Sequence, residues 1–564
     1  MKDQHFGSLA LVLHSHLPYV LYHGTWPHGM SWLNEAAAET YVPLLEVLNR
    51  LKDEGYTPHL TIGLSPVLVD QLASNDFISD FYNYLEERLA ASKDDRDHFI
   101  ETGMEHRAYL AQWWETHYSR IIEYFETSCD KDIVGSFRTL QDEGIIEIIT
   151  CAATHGYLPL LGTDKAVHNQ IRIGRSVYRR HFGKDPKGLW LPECAYRPRY
   201  VWKAPVGDSE PIERAGVEEF LAEEDIDYFI VDSHLLTGGE ARGVYIERFE
   251  ALKMLWQQFR DQYQPTKDFK GSAYEFFLVD SSAKKPVAFF VRDPETGLLV
   301  WSGEHGYPGD GWYLDFHKKH WPSGNRYWRV TSAKADLADK WDYEPDKVED
   351  RLNENASHFK EKTKELLIAA SEKRSPAIVC APFDTELFGH WWFEGPIWLE
   401  RVLRWVEDDP EISLTTCSDF LKAYPPKAAF KLPEGSWGQG GGHWIWLNEW
   451  TAWTWEHIYD CEQQYSDLVE RVLASNNELA IEITTQALRE LLLLESSDWQ
   501  FLISTWSARD YSEGRIALHF ERFKRLAQFC EEVLKGQSLS KEQHEILRIY
   551  QEEDAIFSQL KLDH

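Results

Sequence analysis

Cysteine and methionine are scarce in this sequence, and the scarcity narrows the class of protein. Its 564 residues include 7 cysteines and 4 methionines. The cysteines are odd in number and none has CxxC spacing, which argues against a disulfide framework or a zinc knuckle and fits free thiols in a reducing compartment. Long apolar runs are missing as well, because the stretch near the N-terminus covers only Ser8 to Leu13. It is too short for a signal peptide or a membrane span, so we expect a cytoplasmic protein.

Positively charged residues are also few compared with negatively charged ones. Lys and Arg number 59 against 92 Asp and Glu, which gives a formal net charge of −33. A surface with this balance repels phosphate backbones and anionic lipids, so nucleic-acid and membrane partners are disfavoured. Aromatic residues are abundant instead, with 24 Trp, 26 Tyr and 28 Phe. Because aromatic faces pack on the apolar faces of sugar rings, this composition favours carbohydrate as the ligand class.

Short apolar runs alternate with long helical patterns over most of the chain, which is typical of βα units around a parallel sheet or barrel. Seven runs are predicted strands: Ser8–His14, Leu60–Leu64, Ile145–Cys151, Gly188–Leu191, Asp227–Val231, Val287–Val291 and Ala377–Ala381. Three of the intervening helices are predicted at Asn34–Glu54, Lys165–Phe182 and Lys347–Ser371. We therefore predict an α/β protein with a seven-stranded (β/α) barrel over residues 1–424 and a small inserted helical domain at about 76–130.

The composition changes after residue 424. A loop rich in Gly and Trp comes first, and helical patterns follow at Thr454–Asn476, Leu479–Glu495, Gly514–Lys535 and Lys541–Leu562. We predict that residues 425–564 form a C-terminal helical domain with a Trp-rich leading loop.

Polar and charged side chains follow six of the seven predicted strands. They are His14 and His16, His155, Glu193, Asp232 and His234, Arg292 and Asp293, and Asp384 and Glu386. Active sites of βα barrels lie at the carboxyl ends of the strands, so we expect these groups to converge. Glu193 and Asp384 are too far apart in sequence for a local ion pair, and two facing carboxylates are what glycoside cleavage needs.

Two other interpretations of these residues stay open at this point. A carboxylate at a strand end can cap a helix or pair with Arg197 or Arg199. The His14-Ser-His16 pattern with later His and Asp also fits metal-dependent amidohydrolases. Against a metal site, the fourth strand ends in Glu193 with no lysine that could be carboxylated, and a small hydrolytic site has no need of so many aromatic residues. We therefore expect no metal.

Five motifs resemble those of glycoside hydrolase family 57, in particular its 1,4-α-glucan branching enzyme branch. They are His14-Ser-His-Leu-Pro-Tyr, Gly63-Leu-Ser-Pro-Val, Trp190-Leu-Pro-Glu-Cys-Ala-Tyr, Ala381-Pro-Phe-Asp-Thr-Glu-Leu-Phe-Gly-His-Trp-Trp and Ser497-Asp-Trp-Gln-Phe. The resemblance extends over nearly the whole chain. It implies a seven-strand barrel with an inserted domain and a helical C-terminal domain. It also implies a retaining enzyme that acts on α-1,4-glucan and needs no cofactor.

The resemblance implies roles for individual residues. Glu193 would be the nucleophile, and Asp384 the general acid and base. The polar side chains expected to hold the sugar are His14, His16, His155, Arg292 and Asp498. The rings expected to stack on glucose are Trp32, Trp301, Trp437 and Trp446. Structural alternatives exist for two of these, since Trp32 could staple a helix and Trp446 could pack the junction between domains.

The stretch after the fifth strand departs from the family pattern. In the family, a mobile loop there carries a tip tyrosine that helps to keep water out during chain transfer. Here Gly238-Gly239 looks short for such a tip, Tyr245 is the only nearby tyrosine, and residues 247–285 form a longer segment than expected. We expect a branching enzyme that makes α-1,6 branches. An α-amylase, a 4-α-glucanotransferase and a non-catalytic glucan-binding protein are the alternatives, and the carboxylate pair argues against the last.

Overall fold

The computed structural model describes residues 5–237, 246, 249–260, 271–302, 306–332, 334–373 and 376–562. The strands in these residues are β1 (Gly7–Ser15), β2 (Leu60–Leu64), β3 (Ile146–Cys151), β4 (Gly188–Trp190), β5 (Tyr200–Trp202), β6 (Ile212–Arg214), β7 (Tyr228–Val231), β8 (Phe277–Val279), β9 (Ala288–Val291), β10 (Ala377–Asp384), β11 (Ile412–Leu414) and β12 (Ala429–Phe430).

The helices in the same residues fall into two groups. Those of the barrel and its insertion are α1 (Met30–Ala36), α2 (Val42–Asp53), α3 (Pro66–Leu72), α4 (Asn75–Glu101), α5 (Glu105–Thr127), α6 (Ile133–Asp142), α7 (Asp164–Phe182), α8 (Val217–Glu223), α9 (His234–Thr237), α10 (Glu250–Phe259), α11 (Pro294–Trp301), α12 (Val348–Ser371), α13 (Gly395–Glu407) and α14 (Cys417–Ala423). The C-terminal ones are α15 (Ala452–Ser475), α16 (Glu478–Leu494), α17 (Asp498–Thr505), α18 (Arg509–Leu534) and α19 (Lys541–Glu553). Within the described residues, none of them has both the length and the apolar character that crossing a bilayer requires.

Seven of the described strands run parallel in a ring, in the order β10-β1-β2-β3-β4-β7-β9. The ring closes between β9 and β10 at the Arg292–Cys380 bridge, where the Asp293 amide donates to the Cys380 carbonyl at 2.8 Å. Strand β1 is buried along its whole length, as expected for a parallel strand that is covered on both faces. The predicted (β/α) barrel is confirmed, and each predicted strand lies within three residues of an observed one at either end.

Local signals account for the helix ends. Helix α7 begins where the Thr163 hydroxyl accepts a hydrogen bond from the Ala166 amide at 3.0 Å, and it ends at Gly183, whose φ is 71°. A Thr cap and a left-handed glycine are common helix boundaries. This helix therefore matches its prediction closely.

The helix predicted at Asn34–Glu54 is interrupted. It consists of α1, a π-helical turn at Ala37–Tyr41, and α2, and it begins earlier than predicted, at Met30. A π-turn holds an extra residue, so it rotates the side chains that precede it relative to those that follow. Here it places the Tyr41 hydroxyl 2.5 Å from Glu386 Oε1 after β10.

The insertion and the C-terminal region are helical, as predicted. Helices α4 and α5 pack together in the insertion, and α15, α16 and α18 pack together near the C-terminus. The last predicted helix is too long, because α19 ends at Glu553 and the next residue, Asp554, turns inward. The boundary at residue 424 stays a prediction; β12 follows it and pairs with β8 of the sheet.

Candidate active site

Glu193 follows β4 in a left-handed turn that another segment supports. Its φ is 62° and that of Cys194 is 48°. Such a backbone costs about 1–3 kcal/mol per residue, so it needs surrounding structure to hold it. Trp437 supplies part of that support, because its amide donates to the Glu193 carbonyl at 3.0 Å. Its indole Nε1 also donates to Glu193 Oε2 at 2.6 Å, which orients the carboxylate.

The electrostatics of Glu193 link it to two other acids. Burial raises the pKa of Glu193 to about 8, the hydrogen bond from Trp437 opposes the shift, and the negative charges of Asp384 and Asp498 add to it. Asp384 ends β10 directly opposite His14 in the ladder between β10 and β1. The structure therefore brings the two predicted catalytic carboxylates to the same end of the barrel.

His14 and His155 form a buried pair beside these acids. Their Nε2 atoms are 3.0 Å apart, and His155 Nδ1 lies 2.9 Å from the Ser497 hydroxyl. The His14 ring stacks on Trp190 with the centroids 4.7 Å apart. Burial, followed by the charges of neighbouring histidines, holds the pKa values of both well below the ordinary value. Both rings are therefore neutral near pH 7, and each offers one donor and one acceptor nitrogen.

His16 and Asp498 join the cluster from opposite parts of the chain. His16 Nε2 lies 2.9 Å from Asp498 Oδ2, and the His16 ring stacks on His155 with the centroids 3.9 Å apart. Asp498 also accepts from the Ser496 hydroxyl at 2.5 Å. Although burial raises the pKa of Asp498, the charge and hydrogen bond of His16 outweigh it and lower the value to about 2. Asp498 is therefore ionised, and α17 is tied to the end of β1.

Arg292 is positioned by Asp232 and His234, which the sequence grouped with the site as strand-end residues without giving either a role. Its Nη1 donates to Asp232 Oδ2 at 3.0 Å, and Asp232 Oδ1 lies 3.1 Å from His234 Nδ1. Burial raises the pKa of Asp232, but the hydrogen bond from His234 and the charge of Arg292 lower it to about 2. The guanidinium lies 5.6 Å from the centre of the Trp437 ring. Asp232 and His234 both follow a predicted strand, and this position was the reason to expect them near the site.

The four predicted tryptophans occupy different environments. Trp437 lies at the centre of the cluster, with Trp301 at a centroid distance of 6.2 Å. Trp32 is half-buried and lies 5.5 Å from the ring of Tyr511. Trp446 is 1% exposed and stacks on Tyr157 at 4.5 Å, so it has no open face for a sugar ring in this structure and fits the packing role.

Glu386 is a further acid at this end of the barrel. Its Oε1 accepts from the Tyr41 hydroxyl at 2.5 Å and from the His16 amide at 3.1 Å. Burial raises its pKa to about 8, with the Tyr41 hydrogen bond opposing and the charge of Asp384 adding to the shift. In the sequence, Glu386 was grouped with the site because it follows the seventh strand, and only the family resemblance distinguished Asp384 from it.

Some of these side chains have donor atoms close enough together to hold a metal ion. Among the described residues such groups are His14 with Cys151 and His155, His16 with His155 and Asp498, and His23 with His519 and Asp554. In the second group, His16 and Asp498 already hydrogen-bond to each other, so a metal would have to displace that contact. The geometry alone does not separate a metal site from a hydrogen-bonded one.

Comparison with known proteins separates the glycosidase interpretation from the amidohydrolase one. The sequence model of glycosyl hydrolase family 57 matches residues 10–433. The chain belongs to glycosyl hydrolase family 57. A second model, that of the C-terminal region of 1,4-alpha-glucan branching enzymes, matches residues 457–564. Membership of family 57 removes the amidohydrolase alternative.

Relatives within family 57 cover most of the chain. A 1,4-alpha-glucan branching enzyme of Thermococcus kodakarensis is 42% identical over 523 residues, which are 92% of this chain and 73% of that protein. The crystal structure of a GH57-type branching enzyme of Pyrococcus horikoshii is 39% identical with a TM-score of 0.87, covering 99% of this chain and 96% of the other. An alpha-amylase of Thermotoga maritima is 28% identical with a TM-score of 0.79, covering 99% and 98%.

Proposed function

We propose that this chain is a 1,4-α-glucan branching enzyme, which cuts an α-1,4-linked glucan and transfers the cut segment to a 6-hydroxyl. Its similarity to the Thermococcus kodakarensis branching enzyme over 92% of the chain supports the reaction. The observation that carries the site assignment is the placement of Glu193. Its carboxylate is held by Trp437 and lies within electrostatic reach of Asp384 at the mouth of the barrel.

Glu193 acts as the nucleophile and Asp384 as the acid and base. A Glu193 oxygen forms a bond to the anomeric carbon while the bond to the leaving 4-oxygen breaks, and Asp384 gives that oxygen its proton. In the second half, Asp384 takes the proton of an incoming 6-hydroxyl, whose oxygen displaces Glu193 from the anomeric carbon. Two inversions leave the configuration unchanged.

The polar groups around the carboxylates hold the sugar. Neutral His14 and His155 can hydrogen-bond sugar hydroxyls without placing a further charge beside the acids. Asp498 fixes the orientation of His16, and Asp232 fixes that of Arg292. Trp301 and Trp437 pack against each other beside Glu193, and since each is only 3% exposed they shape the wall of the site. Preorganised groups of this kind stabilise developing charge because they need no rearrangement during the reaction.

Hydrolysis is the second candidate, and the similarity to the Thermotoga maritima alpha-amylase favours it. Water and a sugar hydroxyl compete for the same glycosyl-enzyme, and about 1.4 kcal/mol between the two barriers changes the product ratio tenfold. Tyr245 and Gly238-Gly239, which bear on water exclusion in the sequence argument, lie outside the described residues.

One assay on amylose separates the two activities. Reducing ends are counted after incubation with the enzyme and again after a debranching enzyme has been added. We expect the second count to exceed the first, because each α-1,6 branch yields a new end when it is cut. Equal counts that both exceed the count of untreated amylose would instead identify an α-amylase, and equal counts that do not exceed it would leave 4-α-transfer as the activity. The same assay after exhaustive chelation should give the same counts, since no step uses a metal.

The carboxylate assignment is tested by Glu193→Gln and Asp384→Asn. We expect each to lower turnover by at least roughly a thousandfold while glucan binding is largely kept. Glu213→Gln is the control, since Glu213 is an exposed residue that pairs with Arg199 away from the site. Near-normal turnover in either site variant would contradict the assignment.

A further inference from the structure

Trp506 occupies a backbone position that a tryptophan rarely takes. It caps the C-terminal end of α17 with φ 58°, in the left-handed region where Gly or Asn is usual. Its side chain is 50% exposed, so half of a large ring remains available to a ligand. A strained position that carries a half-exposed tryptophan is a candidate for a function at the surface.

Trp450 lies beside it. The two ring centroids are 5.1 Å apart and the ring planes are inclined by 38°. Trp450 is half-buried, and its carbonyl accepts from the indole of Trp453 at 3.0 Å, which fixes the backbone on one side. The two rings therefore form a surface feature with two inclined faces, which we call the Trp450–Trp506 platform.

Asn448 holds the two halves of the platform together. Its Oδ1 accepts from the Trp450 amide at 2.9 Å, and its Nδ2 donates to the Ser504 hydroxyl at 2.8 Å. Ser504 is on α17, two residues before Trp506. Both Asn448 and Ser504 are buried, so these bonds are protected from water. A surface that is rigid before binding loses little entropy when a ligand is bound.

We infer that the Trp450–Trp506 platform binds an α-1,4-glucan chain outside the cleavage site. Two neighbouring aromatic rings suit two successive sugar rings, and their mutual inclination suits a chain that curves, as an α-1,4-linked glucan does. The inference rests on the proposed function for its ligand class. It adds a second place of contact on the same polymer.

Helix α17 connects the platform to the site. Asp498 begins the helix and bonds to His16, and Trp506 follows its last residue. Eight helical residues span about 12 Å, so the two ends of α17 are a few glucose units apart. A chain held on the platform therefore remains close to Glu193 and Asp384 during a reaction that must engage two chains.

Binding is measured on the Glu193→Gln protein, which is expected to bind glucan without turning it over. The probes are amylose and β-cyclodextrin, a closed ring of α-1,4-linked glucose, with calorimetry as the readout. We expect Trp506→Ala or Trp450→Ala to weaken amylose binding about tenfold, which corresponds to ~1.4 kcal/mol. Trp450→Phe, which keeps a stacking ring, should restore most of the affinity.

Trp341→Ala is the matched control. Trp341 is 64% exposed, more than either platform ring, but the Arg329 guanidinium lies over its face at 4.8 Å. We expect this variant to bind both probes as the parent does. Affinities within twofold of the parent in both platform variants, or an equal loss in Trp341→Ala, would overturn the inference.

Kinetics and stability complete the test. In the active enzyme, Trp506→Ala should raise the KM for amylose with a smaller effect on kcat, since the ring is separated from the reacting atoms by the length of α17. Trp506→Gly should weaken binding to the same extent as Trp506→Ala but have the higher free energy of unfolding of the two variants, because both lose the ring and only glycine relieves the left-handed strain. A kcat that falls as much as KM rises would indicate a structural role instead. The two claims fail in different ways. Absence of branches in the products of the wild-type enzyme would contradict the proposed function, whereas unchanged glucan affinity in the platform variants would contradict the inference about the platform.

Discussion

At the residue scale, one hydrogen bond favours the ionised form of the proposed nucleophile, Glu193. Burial disfavours the ionised form of Glu193, and the indole of Trp437 favours it by donating to Oε2 at 2.6 Å. In its proposed role as nucleophile, Glu193 must be ionised to attack, so the reaction would depend on how far this bond lowers the carboxyl pKa. Trp437 thereby acts on the chemistry through Glu193 as well as lining the site.

Trp437→Phe tests this dependence. Phenylalanine keeps a ring but cannot donate, so the pKa of Glu193 should rise above about 8. Because only ionised Glu193 reacts, the ascending limb of kcat/KM against pH should move to higher pH. A hydrogen bond to a charged group contributes about 1.5–3 kcal/mol. Water can replace part of this bond in the variant, and since one pKa unit corresponds to about 1.4 kcal/mol, we expect the limb to move by about one pH unit. The measurement is the pH profile of kcat/KM on amylose, which reports the free enzyme.

The control is Trp444→Phe in the same loop. The Trp444 indole donates to the Gln439 carbonyl at 2.5 Å, so this variant also loses an indole hydrogen bond but none to Glu193. Its ascending limb should stay in place. A limb that moves equally in both variants would mean that loop disorder, rather than the bond to Glu193, sets the pKa.

The residues themselves could be predicted from the sequence to a large extent. The site residues Glu193, Asp384, His14, His16, His155 and Arg292 all lie at or just after the carboxyl end of a strand, and that position was sufficient to group them. The bond between Trp437 and Glu193 could not be predicted, because the two residues are 244 positions apart and meet only when a loop docks. Asp232 and Glu386 were also identified at strand ends. Their hydrogen bonds to Arg292 and Tyr41 and their burial could not be predicted, because these depend on the folded structure.

At the element scale, the π-turn at Ala37–Tyr41 shows how a local irregularity serves the site. An uninterrupted α-helix would point the Tyr41 side chain in a different direction. With the extra residue, its hydroxyl bonds to Glu386, which also accepts from the His16 amide. The turn therefore links the first helix of the barrel to the ends of β1 and β10.

Tyr41→Phe measures what this link contributes. Removal of the hydroxyl leaves a buried carboxyl with one partner fewer, so we expect the free energy of unfolding to fall by about 1–2 kcal/mol. Urea denaturation gives the value. Tyr109→Phe is the control, since the Tyr109 hydroxyl is exposed and lies 3.4 Å from Asp346 Oδ1. An unchanged stability in Tyr41→Phe would show that the π-turn is held by packing alone.

The elements were predicted unevenly for physical reasons. Buried parallel strands such as β1 have nearly continuous apolar sequences, so their first and last residues could be predicted to within a few positions. The π-turn has no signature in the pattern, since its residues are as helix-compatible as their neighbours. Helix α17 was missed because its eight residues are too few to show a clear period. The end of α19 depends on the burial of Asp554, a tertiary contact.

At the scale of the whole molecule, a buried ionic cluster joins the barrel to the C-terminal helices. Asp554 Oδ1 lies 2.7 Å from His23 Nε2 after β1, and Asp554 Oδ2 accepts from Arg522 Nη1 on α18 at 2.5 Å. Nearby, the Tyr19 hydroxyl donates to the Glu553 carbonyl at 3.0 Å. The site takes residues from both regions, so this junction also holds the site together.

Asp554→Asn should loosen the junction. The substitution removes one of two carboxylate partners of Arg522, which keeps its ion pair with Glu553, and it alters the hydrogen bond to His23. Hydrogen bonds to charged groups contribute about 1.5–3 kcal/mol, so we expect the free energy of unfolding to fall by about that amount. Burial raises the pKa of Asp554, but the charges of His519, His23 and Arg522 hold it below its ordinary value. The stabilisation is therefore present above about pH 4 and is lost as the pH falls further. Urea denaturation at pH 7 and at lower pH measures both effects.

Glu552→Gln serves as the control for the junction. Glu552 is exposed and pairs with Arg548 at the surface, so its loss should change stability by less than about 1 kcal/mol. An Asp554→Asn protein as stable as this control would place the strength of the junction in its apolar contacts. The sequence predicted that a helical region follows the barrel but gave no indication of this cluster, whose members are adjacent only after docking.

The ribosome produces the residues of the site in the order in which they lie along the chain. Translation delivers Glu193 and Asp384 first, then Trp437, and finally Asp498, which comes from α17 in the C-terminal helices. A ribosome-bound chain therefore carries both carboxylates for a time without the indole that orients one of them. We expect such a nascent chain to be inert toward glucan. Activity then begins only with a molecule that has finished its C-terminal fold, and half-made copies do not degrade the polymer.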